Sequence, residues 1–267
     1  MSTITVTLQE GFANRLCQYA FARAYAEKMG CELRTSFWMG QEIFNINDPL
    51  PDRVLPDRDI ESFPDWDGQV DINLVGWGQH QKHLIYSRAD ARRYFTFRPE
   101  ILEKLMMVPQ IGVAAHIRWG DFLHVPAANF IAISKESYYR CCYQYGLPVD
   151  RLRFVSEEDP IVVPGISTGS WDPPHSEHHT RGREDKKTSL GFLPDFFALM
   201  RAKVLIRSNS TFGLWAGFLG TQERVFSPNL TDIQKQPEAQ DVPFVEGNHM
   251  PITGHWSGHS ELHIRDQ

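Results

Sequence analysis

The residue types best suited to chemistry stand directly after apolar runs. His116-Ile117-Arg118-Trp119-Gly120-Asp121 follows Ile111-Gly112-Val113-Ala114-Ala115. A continuous apolar run of this kind suits a strand covered on both faces. An arginine where that strand ends can fork two hydrogen bonds onto a diphosphate, a geometry lysine does not offer. Arg118 is therefore the expected stabiliser of a diphosphate leaving group, although an Arg118–Asp121 pair that only pins a turn has the same spacing. A second segment, Arg207-Ser208-Asn209-Ser210-Thr211-Phe212-Gly213, lies between an apolar strand and an apolar helix. Hydroxyls and unpaired backbone N–H groups at a helix start hold anions without any lysine, and a plain capping turn is built from the same residues. In Phe154-Val155-Ser156-Glu157-Glu158-Asp159-Pro160, carboxylates follow a strand. There they can accept from the N1–H and N2–H₂ edge of guanine, or form a solvated acidic turn before proline. Gly11-Phe12-Ala13-Asn14 is a turn that can bring backbone close to a sugar diphosphate, and a tight turn is its simpler meaning.

Alternating strands and helices are needed to present these segments. Residues 4–8 alternate like a short strand, a turn follows, and apolar positions from Asn14 onward have helical spacing up to Gly30, a C-terminal stop. Residues 47–68 carry prolines and aspartates with little periodicity and read as loop. A strand is expected over 70–77 and a surface helix over 79–94. Beyond a domain boundary near Val108, dividing 1–107 from 108–267, come the strand ending at His116, a helix over 135–145 and a strand over 152–156. A polar insertion at 165–191 precedes a helix over 195–201, a strand over 204–206 and a helix opening near Ser210. This order favours a doubly wound parallel α/β sheet, whose ligands sit beyond the carboxyl ends of the strands.

Bulk properties narrow the functions. A chain of 267 residues with 42% apolar content can bury one large core or two small ones. With 27 basic and 33 acidic residues its net charge of −6 supplies no overall field for nucleic acid or an anionic bilayer. Cys17, Cys31, Cys141 and Cys142 lack CxxC spacing and read as buried thiols of a reducing compartment. The N-terminus has no basic segment followed by an apolar core, and no apolar run reaches the roughly 20 residues of a membrane span. The expected location is cytoplasmic, which leaves peripheral membrane contact open.

In order along the chain, these segments resemble glycosyltransferase family 11, the α-1,2-fucosyltransferase type. A glycine turn, Asn and an alanine-rich helix match GFANRLCQYAFARAYA, and the G-Y-x-Q-x-x-K-Y-F segment matches Gly76 to Leu84. The HxRRGD motif matches His116 to Asp121, the acidic F-S-D-D turn matches FVSEEDP, and D-x-x-L-M…SNSTFSWW matches DFFALMRAKVLIRSNSTFGLW. The resemblance runs from about Thr7 to Pro228. It implies an α/β GT-B fold of two Rossmann-like domains facing across a cleft, the N-terminal one on the acceptor side. It also implies a metal-independent, inverting hexosyltransferase that moves fucose from GDP-fucose to a sugar hydroxyl of a glycan acceptor, galactose O2 in this family. No cofactor beyond the donor substrate is implied. Carried over residue by residue, Arg118 contacts the β-phosphate, His116 the nucleotide, Ser210 and Thr211 phosphate oxygens, Asp159 or Glu158 the guanine, and Asn14 the sugar-phosphate. Ser208 and Asn209 complete the anion-holding turn. For the proton of the attacking hydroxyl, Asp121 and His116 are the nearest candidates in sequence, and the choice between them stays open.

Three positions depart from the pattern. Trp119 stands where the family has a second arginine, Ala13 replaces a glycine, and the 165–191 insertion with His175, His178 and His179 has no counterpart. Clustered histidines invite a metal reading, but ligation needs rigid support that a loop lacks. Asp65-Trp66-Asp67 is formally the DxD of metal-dependent transferases and reads as a solvated turn. Trp119 keeps a different GDP-hexose donor in play, and a non-catalytic nucleotide-sugar-binding protein is the alternative of another class.

Overall fold

A computed structural model of the chain describes residues 1–124, 130–157, 159–164, 166, 190–231 and 233–249. Glu158, the three histidines of the insertion and the tail beyond His249 lie outside the described residues. The described chain forms two compact units, one on residues 1–103 and the other on 104–166 and 191–249.

The first unit contains four parallel strands, β1 (Thr3–Val6), β2 (Glu32–Thr35), β3 (Asp57–Asp59) and β4 (Ile72–Val75), in the order β2-β1-β4-β3. The helix between β1 and β2, α1 (Phe12–Met29), is buried along Leu16, Tyr19, Ala20, Phe21, Ala24 and Tyr25. Its alanines let backbone approach the sheet while its aromatics fill the core. Gly30 closes it at φ 63°, its N–H reaching the carbonyls of Ala26 and Glu27. Phe21 and Tyr25 meet Phe63 and Trp66 edge to face, with centroids of 5.3 Å for Phe21–Phe63 and 5.2 Å for Tyr25–Trp66. That packing orders the proline-rich stretch: the turn at Ile60–Ser62 suits a loop with short irregular turns, and the strand β3 is the element its pattern did not indicate. The short α2 (Gly40–Ile43) follows β2. The helix expected over 79–94 is reduced to a turn at Gln81–His83 and α3 (Arg88–Tyr94). Ser87 starts α3, its Oγ accepting from Asp90 N at 3.1 Å while Asp90 accepts from Ser87 N at 3.0 Å. Next is α4 (Pro99–Leu105).

The second unit has five strands in the order β6-β5-β7-β8-β9: β5 (Val113–His116), β6 (Leu152–Val155), β7 (Val204–Ile206), β8 (Arg224–Pro228) and β9 (Phe244–Glu246). The first four are mutually parallel and β9 runs antiparallel to β8. As the apolar run predicted, every residue of β5 is buried. Helices α5 (Gly120–His124), α6 (Lys135–Gln144), α7 (Leu193–Arg201) and α8 (Thr211–Leu219) complete the unit. α8 buries Leu214, Trp215, Ala216 and Phe218, so hydrophobic burial rather than surface charge holds it in place. Register decides what the sheet presents at its carboxyl edge. Ala115 pairs with Ile206, and Ile206 with Phe226. The residues that follow on each strand, His116, Arg207 and Ser227, therefore stand in a row.

Candidate functional site

Arg118 follows β5 and precedes α5. Its Nε donates to Asp121 Oδ1 at 2.9 Å and its Nη1 to Glu157 Oε2 at 3.1 Å. Its guanidinium also lies 5.9 Å from the Phe122 ring centroid. The side chain remains 32% exposed, so it is fixed from two sides yet open to a ligand. The Arg118–Asp121 pair anticipated as a turn clamp exists, and Glu157, one of the carboxylates of the acidic turn, is a second anchor whose pairing with Arg118 the sequence did not indicate. Gly120 makes room for that anchor, since a Cβ there would collide with the Glu157 carboxylate.

His116 is 5% exposed. Its carbonyl accepts from Tyr138 Oη at 2.7 Å, and its Nδ1 lies 3.0 Å from Ser208 Oγ. Burial, reinforced by the positive charges of Arg118 and Arg207, pushes the imidazole down to about 3, so it is neutral at physiological pH. Ser208 links the β5 and β7 ends. Beyond it Ser210 caps α8, its Oγ accepting from Phe212 N at 3.2 Å. Thr211 is the first residue of α8, while Asn209 and Ser208 are buried at 5% and 1% exposure. α8 can approach this closely only because position 213 is glycine. A Cβ there would lie 2.9 Å from His116 Nδ1 and 3.0 Å from Arg207 Cβ. Arg207, at 0% exposure, donates from Nε to Ser227 Oγ at 2.9 Å and from Nη1 to its neighbour's carbonyl, Ser208 O, at 3.3 Å. Sequence reading took the hydroxyls of this segment and passed over its arginine; the signal available was a cation immediately after an apolar strand.

The acidic turn leaves β6 at Ser156, whose bridge to Asp159 folds the chain back. Asp159 is exposed. Asp195, in the first turn of α7, accepts from Ile161 N at 2.8 Å and so tethers this turn. Burial, with the nearby negative charge of Asp159, pushes the Asp195 carboxyl up to about 7. Asp195 is the aspartate of the D-x-x-L-M match, which carried no site role in the sequence.

Asn14 belongs to the first unit. It sits in the first turn of α1, and its Oδ1 accepts from Gln79 Nε2 at 3.0 Å, joining two of the segments matched above. The turn before it is closed by Glu10 at φ 66° rather than by Gly11, whose φ of −69° is open to any residue. In the DxD-like segment, Trp66 is buried and donates to Asp59 O at 2.8 Å, while Asp67 pairs with Lys28 at 2.6 Å. Both engagements are structural. Among the described residues no group of three or more His, Cys, Asp or Glu side chains is placed to hold a metal ion, and no helix is long and apolar enough to cross a membrane.

No family model matches the chain. Galactoside α-(1,2)-fucosyltransferase 1 of Pan troglodytes is 22% identical over 249 residues, covering 85% of this chain and 60% of that protein. The Rattus norvegicus protein of the same name is 24% identical over 263 residues, 86% of this chain and 66% of its own. The chain is thus similar to two mammalian α-(1,2)-fucosyltransferases. It spans about two thirds or less of the curated relatives it matches. Among solved structures, fucosyltransferase NodZ from Bradyrhizobium is similar at a TM-score of 0.51 and 14% identity, over 91% of this chain and 98% of that one. NodZ α-1,6-fucosyltransferase soaked with GDP-fucose gives 0.50 and 13%, over 91% and 99%. The fold of the chain is thus the α/β GT-B class that the resemblance led one to expect, built from two Rossmann-like units.

Proposed function

We propose that the protein is an inverting fucosyltransferase that takes fucose from GDP-fucose and places it on a hydroxyl of a glycan acceptor, O2 of a terminal galactose. The observation that carries this reading is the carboxyl edge of the second sheet. There an anchored but partly exposed arginine, Arg118, and the capped start of α8, with Ser208, Asn209, Ser210 and Thr211, occupy the ends of the adjacent strands β5 and β7. Similarity to the α-(1,2)-fucosyltransferases along 85% of the chain supports the donor and the linkage.

When the acceptor hydroxyl attacks the anomeric carbon, the C–O bond to the β-phosphate breaks and negative charge grows on the departing GDP. Fixed donors that need no reorganisation stabilise that charge most. Arg118 supplies a fork of N–H groups, and the first turn of α8 supplies backbone N–H groups and the helix dipole. His116 is neutral and engaged with Ser208, so its part is to hold the phosphate-binding hydroxyl and line the nucleotide site. Asp159, exposed at the end of β6, is the carboxylate for the guanine edge. Asn14 and the acceptor surface belong to the N-terminal unit. Of the two bases considered, the enclosed His116 ring has little reach, and Asp121 takes the role. Its carboxylate is 19% exposed and is oriented by the 2.9 Å hydrogen bond from Arg118 Nε. No metal enters any step.

The donor is tested by thermal unfolding with GDP, GDP-fucose and GDP-mannose. Stabilisation by GDP and GDP-fucose, with slow release of fucose when acceptor is absent, is expected. Stabilisation by GDP-mannose but not GDP-fucose assigns a different donor, and no response to any of them contradicts the nucleotide-sugar reading.

A further inference from the structure

Arg207 is an interior cation that no acidic side chain among the described residues balances. It is 0% exposed, and its Nη2 has no hydrogen-bond partner among those residues. The two nitrogens that are engaged meet a hydroxyl and a carbonyl, both neutral. Burial pushes the guanidinium down to about 9, so it keeps its proton at neutral pH. An uncompensated buried charge is destabilising, and a protein that carries one needs a counter-charge from elsewhere. Its surroundings indicate where that charge comes from. Arg207 follows β7 at the carboxyl edge, between His116 on β5 and Ser227 on β8, and its Cβ lies where Gly213 lets the first turn of α8 close over it. Three residues later the N-cap Ser210 opens the nine-residue α8, whose first turn presents N–H groups and the positive end of its dipole at the carboxyl edge of the same sheet.

We propose that Arg207 is the second positive charge for the diphosphate of a nucleotide-sugar, acting from beneath the Ser208–Thr211 turn while Arg118 acts from the β5 side. This rests on the nucleotide-sugar reading above. It also accounts for Trp119, which brings no cation to the position where the resembling family has its second arginine. Trp119 instead donates Nε1 to Ile133 O at 2.8 Å and lies under Lys135, 5.3 Å from its ring centroid. The missing charge is supplied from the neighbouring strand.

The test is calorimetric titration of the full chain with GDP, inorganic pyrophosphate and guanosine, comparing wild type with Arg207→Gln, which retains a donor for Ser227, and Arg207→Met. Both neutral variants are expected to melt no lower than wild type without ligand, because an unbalanced charge has been removed. Both should bind GDP and pyrophosphate at least tenfold more weakly and guanosine as before. Wild-type affinity for GDP in either folded variant overturns the proposal, as does an equal loss for guanosine and GDP, which marks a purely structural role. If wild type itself binds neither GDP nor pyrophosphate, the nucleotide-sugar reading fails along with this one.

Discussion

Arg118 is held by carboxylates from two elements, Asp121 on α5 and Glu157 after β6, and still presents a third of its surface to solvent. Two anchors fix the plane of the guanidinium, which a flexible ammonium cannot reproduce. Arg118→Ala should leave the melting temperature nearly unchanged and cost about 2.7 to 4 kcal/mol of barrier, a turnover loss of roughly a hundred- to a thousandfold. Arg118→Lys should recover little of it. Steady-state kinetics with GDP-fucose checks both, and near-normal turnover in Arg118→Ala removes the residue from the mechanism. Asp195 provides a prediction independent of activity. Its carboxyl is raised in the folded protein, so its share of stability is complete below the ordinary aspartate value and is lost as pH rises through about 7. Asp195→Asn keeps an acceptor for Ile161 N and cannot ionise. The variant should exceed wild type in stability at pH 8, by on the order of 2 kcal/mol, and match it near pH 4. Denaturant unfolding at the two pH values measures this, and equal stability at pH 8 contradicts it. These residues differed in legibility for a physical reason. Arg118 and the hydroxyls of the 208–211 turn could be read because they interrupt apolar runs. Arg207 and Asp195 are significant through burial, which only the packed sheet creates.

The elements succeed or fail by how well their local pattern agrees with their packing. β5 and β7 were legible as apolar runs because both faces are covered, and α6 and α7 by helical spacing within two residues of their observed ends. β3, Asp57-Arg58-Asp59, has no apolar pattern because it is an edge strand placed by its neighbour β4 and by the aromatic cluster beneath. β9 is likewise short, with two of its three residues exposed. The helix expected over 79–94 was overestimated: His83 Nδ1 accepts from His80 N at 3.1 Å, closing a single turn, and Ser87 starts a new helix with its own cap. On the proposed reading, α8 is the element on which donor binding depends most. Ser210→Ala removes its cap and should cost about 1 kcal/mol of stability. Gly213→Ala should do more. The added methyl crowds His116 and the Arg207 stem, at a cost of about 1–3 kcal/mol, and it pushes the first turn outward. Its GDP affinity should fall further than that of Ser210→Ala, which titration of the two variants in parallel would show; equal affinities would argue against close approach of α8 as a requirement of the site.

At the scale of the whole molecule, the protein comprises two α/β units, the first on an all-parallel sheet and the second on a sheet that is parallel except for its edge strand β9. The order of strands, glycine turns and helices announced this fold class, because parallel sheets need helical crossovers and mark them with periodicity and stops. The acceptor was not legible, since acceptor specificity resides in loop shape, which sequence pattern does not encode. Ligand linkage provides a global check on the donor site: GDP at a hundred times its dissociation constant should add about 2.7 kcal/mol to unfolding in wild type. The central claim is tested most directly by incubating wild type and Arg118→Ala with GDP-fucose and galactose-terminated oligosaccharides, then determining the linkage of any product. Fucose joined α-1,2 to galactose by wild type, and almost none by the variant, is the predicted result. Absence of fucosylated product from wild type across the panel, with GDP-fucose intact, would contradict it.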